Sequence, residues 1–284
     1  MYIEQDVEYS KLTTYKLAGC AKSVYYPESI DELIELLQIL GKNKTKYVII
    51  GNGSNVIFSD LFDGVVVCVR KLNRINCLDG YLLEVECGVL NAELIRFSVE
   101  HEYGGVEFLT GIPGCIGAGV INNVGAFGGD ISDIVVKVQY IDQKGKLCWV
   151  ERDECKFSYR FSAFKKMQNV ITKVIIKLEK REKRDIVSKI TQCANMRVAK
   201  QPTGFSCGSV FKNPPNNYAG ALIEGVGIKG LEIGDAKISE KHGNFIINKG
   251  CAKSADVLKL IEIARLLVYN KYNIILETEV QIIE

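Results

Sequence analysis

Apolar residues recur along this chain in two rhythms. Leu33, Ile34, Leu36, Leu37 and Leu40 keep the three-and-four spacing of one helix face, with Ser29 and Glu32 forming a capping box ahead of them and Gly41-Lys42 ending the run. A second face of this kind is Val257, Leu260, Ile261, Ala264 and Leu267. Short apolar runs at 46–50, 65–69, 83–87 and 170–178 read as strands, and 134–141 with 146–150 flank a turn at 142–145, which makes a hairpin. Asn91 is placed to cap a helix through Leu94, Ile95, Ser98 and Val99 that stops at Gly104-Gly105. Asp185 is placed to cap another, just after the basic run Lys177, Lys180, Arg181, Lys183 and Arg184, which reads as a solvated face. Near the end, Ile274, Leu276, Thr278, Val280 and Ile282 alternate with Ile275, Glu277, Glu279 and Gln281, the pattern of a strand with two unlike faces. Hairpins outnumber parallel crossovers, so the pattern predicts an α+β fold in two units, divided at 183/184.

Composition sharpens this picture in one place. Nine of the 26 glycines fall between 104 and 129, a density expected where backbone lies close against something bulky. The formal charge of +2, from 36 basic and 34 acidic residues, gives no electrostatic reason for a nucleic-acid or membrane partner. Apolar runs stay far below the roughly 18 residues of a membrane span. The start, MYIEQDVEYSK, lacks the basic and apolar character of an export signal, so a cytoplasmic location is expected. Ten scattered cysteines form no Cys-x-x-Cys pair and read as reduced thiols, with no metal site. No repeat or coiled-coil seam asks for assembly, and a monomer is expected.

Several segments carry chemistry. The turn Gly51-Asn52-Gly53-Ser54-Asn55 offers successive amides to a pyrophosphate, or is an ordinary strand-to-loop turn. It lacks the third glycine and the directly following helix of a nicotinamide-type nucleotide fold. The run 111–119 would let backbone pass along a cofactor, or reflects tight packing. Arg160 lies among Phe157, Tyr159 and Phe161, a setting for a partly desolvated guanidinium that pairs with a carboxylate, or is an ordinary surface arginine. Ser209 lacks a nucleophile elbow, and His101 and His242 lack an evident acidic partner, which excludes a serine hydrolase.

Taken in order, Gly51-Asn52-Gly53-Ser54-Asn55, Gly111-Ile112-Pro113-Gly114, Asn123-Val124-Gly125-Ala126-Phe127-Gly128, Tyr159-Arg160-Phe161-Ser162, Gly208-Ser209-Val210-Phe211-Lys212-Asn213-Pro214 and Leu276-Glu277-Thr278-Glu279-Val280 resemble the UDP-N-acetylenolpyruvoylglucosamine reductase family. The opening Thr13-Thr14-Tyr15-Lys16-Leu17-Ala18-Gly19 is similar to the family's start. The resemblance implies a two-lobed FAD-binding domain of the vanillyl-alcohol-oxidase/PCMH type over 1–183, with lobes of roughly 1–62 and 63–183. A smaller α+β substrate-binding domain follows over 184–284. It implies NADPH as electron donor and UDP-N-acetylglucosamine enolpyruvate as substrate.

Carried over residue by residue, Ser209 resembles the proton donor, and Arg160 and Glu279 the pair that orients and stabilises the enol intermediate. Gly51, Asn52, Gly53, Ser54, Asn55, Gly114, Gly117, Asn123, Gly128 and Tyr159 fall on cofactor-binding positions, and Lys200, Asn213 and Arg197 on substrate-binding ones. Asn122, Val124 and Phe127 depart from the family's commoner residues. The interval from Arg160 to Arg197 is that of the shorter subtype, without an extra substrate-covering loop. Two other readings remain open on sequence: an FAD-linked sugar or alcohol oxidase of the same fold, and a non-catalytic flavin or UDP-sugar binder.

Overall fold

Ser29 has extended backbone and its hydroxyl accepts the Glu32 N–H at 3.2 Å, so the helix Ile30–Lys42 begins where the pattern predicts. The Glu32 carboxylate accepts the N–H of Glu28 at 2.8 Å, one residue earlier than a standard box. Leu33, Leu36 and Leu40 turn inward into a core shared with Val67, Val69 and Leu72. This helix carries the chain from the strand Cys20–Tyr26 to the strand Tyr47–Ile50, and both pair parallel with Val65–Cys68. Tyr2–Glu8 completes a four-stranded sheet on the far side of Cys20–Tyr26. Val66, Val67 and Cys68 of the middle strand are fully buried, and Val67 packs into the core with Leu33, Leu36 and Leu40.

The computed structural model describes residues 1–167 and 169–284. Its contacts divide the chain into a first unit, Met1–Glu4, Val24–Asn52 and Val65–Arg197, and a second, Gln5–Ser23, Gly53–Gly64 and Val198–Glu284. The pattern along the chain predicts one cut at 183/184. The contacts instead place it inside the helix Lys183–Lys200 and assign two early segments to the C-terminal unit. The cause is long-range pairing. Val56–Phe58 pairs parallel with Gln281–Ile283, and Tyr15, Leu17 and Ile57 complete the second unit's core.

The first unit holds a five-stranded antiparallel sheet in the order Leu147–Glu151, Val135–Ile141, Val170–Lys177, Leu82–Glu86, Ile75–Cys77, which includes the expected hairpin. Asn91 is the first residue of the helix Asn91–His101 and not its cap. The Glu93 carboxylate accepts the Leu90 N–H at 2.9 Å, and Asn91 Nδ2 donates to Ile112 O at 3.1 Å. Left-handed Glu102 ends that helix two residues before the glycines. Asp185 likewise lies inside its helix, which starts at Lys183.

In the second unit, Glu232–Ile233, Ala236–Ile238 and Ile246–Asn248 form an antiparallel sheet, and the helix Ser254–Tyr272 buries Val257, Leu260, Ile261, Ala264 and Val268. The closing stretch is not one strand. Thr278 bridges to Phe211, and Gln281–Ile283 then changes partner to Val56–Phe58, so inward-facing Val280 is followed by buried Ile283 and not by Ile282.

Candidate active site

Gly51 follows the strand Tyr47–Ile50, and a Cβ added there would lie 2.0 Å from the Cys115 sulfur. Only glycine allows this approach. The backbone amides of Ala118, Asn52 and Gly117 face that sulfur, while burial pushes its pKa up and keeps it a thiol. Gly117 makes a second close approach, its N–H donating to Cys87 O at 2.9 Å and its missing Cβ leaving room for the Cys87 side chain, which would stand 2.7 Å away. The rest of the turn belongs to the second unit. There Asn55 Nδ2 donates to Glu279 O at 3.1 Å and Asn55 O accepts the Gln281 N–H at 3.0 Å, so this asparagine ties down the backbone of Glu279.

In the first unit, Asn123 ends the helix Ile116–Asn122 in left-handed backbone. Its Oδ1 accepts the Ser132 N–H and its Nδ2 donates to Ser158 O, both at 3.1 Å. The expected cofactor residue thus also cross-links two loops. Ser158 and Phe161 exchange backbone hydrogen bonds at 3.0 and 3.1 Å, and the Ser162 hydroxyl donates to Ile121 O at 2.9 Å. Arg160, at the tip of this turn, has φ +54° and donates from Nη2 to Gly125 O at 3.1 Å. Its guanidinium lies 5.3 Å from the ring centre of exposed Tyr159. Gly128 nearby in sequence has φ +88° and open space where a Cβ would be.

Arg197 belongs to the same unit. Its Nε donates to Thr110 O at 3.0 Å, its guanidinium lies 5.2 Å from the Phe127 ring centre, and a Cβ on Gly111 would meet its Cδ at 2.7 Å. Burial lowers its pKa. This residue therefore packs on the glycine-rich segment.

The second unit carries Ser209, Glu279, Lys200 and Asn213. Glu279 N–H donates to Val210 O at 2.8 Å and Lys212 N–H to Glu277 O at 2.9 Å, which brings Ser209 and Glu279 onto neighbouring backbone. From the other side Val210 N–H donates to Asn244 O at 2.9 Å. The Asn244 side chain, only 3% exposed, accepts from Phe211 N at 2.9 Å and donates to Phe211 O at 2.8 Å. Sequence reading missed this clamp, because an asparagine next to Gly243 reads as a turn residue until its partner is known. Asn213 Oδ1 accepts the Ala219 N–H at 3.0 Å and so starts the helix Ala219–Gly225, while Lys200 is exposed at the end of its helix. His242 Nδ1 accepts the Asn244 N–H at 3.2 Å, and burial holds its imidazole below the ordinary 6.5.

Residues 21–151 match the family described as FAD binding domain, and residues 200–283 match the UDP-N-acetylenolpyruvoylglucosamine reductase C-terminal domain. A UDP-N-acetylenolpyruvoylglucosamine reductase of Caldicellulosiruptor bescii is 39% identical over 98% of this chain and 90% of its own length, and that of Bacillus subtilis 38% over 95% and 90%. The chain belongs to the UDP-N-acetylenolpyruvoylglucosamine reductase family. A crystal structure of the family's enzyme from Thermus caldophilus matches all of this chain and all of its own with a TM-score of 0.85 at 31% identity. Family and α+β fold agree with what the motifs imply.

The first unit also fits a polar ligand of FAD's kind. Buried Thr110 Oγ1 and Asn91 Oδ1, both beside the 111–114 loop, have no hydrogen-bond partner among the described residues. A polar ligand with donors and acceptors would satisfy both.

Proposed function

We propose that this chain uses NADPH to reduce the enolpyruvyl ether of UDP-N-acetylglucosamine enolpyruvate to UDP-N-acetylmuramate, in the synthesis of peptidoglycan precursors. FAD, when bound, would supply the redox chemistry that relays a hydride from NADPH to the enolpyruvyl group. The turn Gly51-Asn52-Gly53-Ser54-Asn55, the run through Gly114 and Gly117, Asn123 and Gly128 of the next loop, and Tyr159 beside Arg160 would hold it. The protein's own work is then to orient the substrate, oppose the charge that grows as hydride arrives, and deliver a proton to the adjacent carbon.

Ser209 is assigned the proton delivery. A hydroxyl is a weak acid, but the carbon it serves is strongly basic once hydride has added, and a fixed position makes up for modest acidity. The observation that carries this assignment is the clamp at Val210 and Phe211, which leaves Ser209 on backbone held by Asn244 on one side and Glu279 on the other. Arg160 opposes the charge on the substrate carboxylate, an interaction that strengthens in the transition state and is worth several kcal/mol in a dry site. Glu279 orients the enolpyruvyl group, and Lys200, Asn213 and Arg197 are assigned to substrate binding, the lysine as a point charge for diphosphate. A cytoplasmic monomer without nucleic-acid or membrane partner completes the reading. The +2 charge supports the part of it that names no nucleic-acid partner, and among the described residues no helix is long and apolar enough to cross a membrane.

The test is NADPH oxidation by the purified protein, followed with its visible flavin spectrum, with and without the enolpyruvyl UDP-sugar. Consumption that requires the sugar nucleotide is expected. A yellow protein that reoxidises in air and ignores the sugar would be an oxidase, and a colourless one that stays inactive after FAD is added would be a binder. Ser209→Ala should keep flavin reduction by NADPH and lose about 10²-fold in reoxidation by substrate. Reoxidation at the parent rate would remove Ser209 from the chemistry.

A further inference from the structure

Arg160 holds a backbone conformation that a long side chain rarely adopts, with φ +54°. Such a residue persists only where its surroundings over-determine it. Most of the restraints lie on its neighbours: the Ser158–Phe161 exchange, Asn123 on Ser158 O, and the Ser162 hydroxyl on Ile121 O. One reaches the backbone of Arg160 itself. Lys165, the last residue of the short turn Ala163–Lys165, donates from Nζ to Arg160 O at 2.7 Å. It is half-buried, so this charge-assisted bond is partly shielded from water.

At the other end of the residue, Nη2 is bound to Gly125 O. The guanidinium is therefore fixed by a bond at its tip and by an ammonium on the carbonyl at its root. Without the latter, the peptide after Arg160 keeps its Phe161 N–H on Ser158 O but loses the hold on its carbonyl, and can tilt so that the side chain moves off its line. We propose that Lys165 is the positioning residue of Arg160: its ammonium locks the left-handed peptide from which the guanidinium is aimed, without contact with the substrate. This rests on the reading of Arg160 as the residue that opposes charge on the substrate carboxylate.

The role predicts a particular kinetic signature. A displacement of about 1 Å in a positioning group costs up to 10²-fold in the chemical step. Lys165→Met keeps the apolar stem and deletes the donor. It should slow reoxidation of the reduced flavin by the enolpyruvyl UDP-sugar about tenfold or more, while reduction by NADPH, flavin content and melting temperature stay at parent values. Lys165→Arg, which keeps a cationic donor, should restore most of the rate. Lys165→Met in an Arg160→Met background should add no further loss, because the lysine acts only through the arginine.

Stopped-flow measurement of both half-reactions for these four variants decides the matter. Reoxidation of Lys165→Met at the parent rate would overturn the proposal, as would equal slowing of both half-reactions or a full further loss in the double variant. If Arg160→Met itself reoxidised at the parent rate, the reading of Arg160 would fall first and this one with it. A slow Arg160→Met beside an unaffected Lys165→Met would remove the positioning role alone.

Discussion

Gly51→Ala tests the close approach on which the first glycine turn depends. Gly51 is not among the residues with positive φ, so alanine meets no backbone penalty and would by itself gain about 0.4–1 kcal/mol from a less flexible unfolded chain. The new methyl, however, would stand 2.0 Å from Cys115 Sγ and 3.3 Å from Cys115 Cβ. Ordinary carbon contacts are about 3.5–4.0 Å, so an overlap of roughly 1.5 Å has to be absorbed by a fully buried thiol. Overpacking of this kind costs about 1–3 kcal/mol, against which the entropic gain is small. A net loss of about 1–2 kcal/mol, or a few degrees in melting temperature, is expected. FAD affinity should fall too, because the strand end at Gly51-Asn52 has to shift. Cys115→Ala removes the sulfur and leaves only the 3.3 Å contact, a few tenths of an ångström too tight. In that background Gly51→Ala should therefore be nearly neutral, a coupling of about 1–2 kcal/mol between the two sites. The assay is thermal unfolding at fixed FAD concentration, since ligand binding itself moves the midpoint, together with titration of apoprotein by flavin fluorescence. Additivity of the two changes within about 0.5 kcal/mol would refute the reasoning, as would a Gly51→Ala protein that melts and binds FAD like the parent.

Asn244→Leu should orphan both polar groups of Phe211, at about 1–3 kcal/mol each, and should impair the oxidative half-reaction through Ser209. Urea unfolding that gives a loss below about 0.5 kcal/mol would show that the clamp has a ready substitute. His242 has a folded-state pKa below its ordinary 6.5, because burial disfavours the cation and the nearby Lys229 ammonium repels it. The unfolded chain then binds the proton more readily, so stability present above pH 6.5 is lost as pH falls from there through the lower folded value. Melting curves between pH 8 and pH 5 should fall less steeply for His242→Gln than for the parent, and equal slopes would contradict the assignment. Glu84, paired with Lys173 at 2.8 Å, is shifted the opposite way from a buried acid: hydrogen bonding to Lys173 holds its pKa below 4.5. Its contribution is present above pH 4.5 and is lost on acidification through its folded value, so Lys173→Met should lower stability at pH 7 and cease to matter in strong acid.

Much of this protein is legible along the chain because the relevant physics is local. Helix Ile30–Lys42 follows from Ser29 and the spacing of three leucines, and the 135–151 hairpin from two apolar runs around Asp142 to Gly145. The motifs around Gly51, Arg160, Ser209 and Glu279 are likewise contiguous, so their order along the chain identifies the family without reference to contacts. Tertiary structure decided what depends on partners far apart in sequence. Residues 5–23 and 53–64 join the C-terminal unit because Val56–Phe58 pairs with Gln281–Ile283. The closing stretch breaks its alternation because it changes partner after Val280. Asn244 clamps Phe211, Lys165 caps Arg160 and Cys115 fills the space at Gly51. None of these has a periodicity or a spacing that marks it. A hydrogen bond or a steric contact acts over a few ångströms of space, whereas pattern reports only on neighbours along the backbone. The residues assigned to the chemistry were therefore visible in the sequence, and the groups that hold them in place appeared only once the chain was folded.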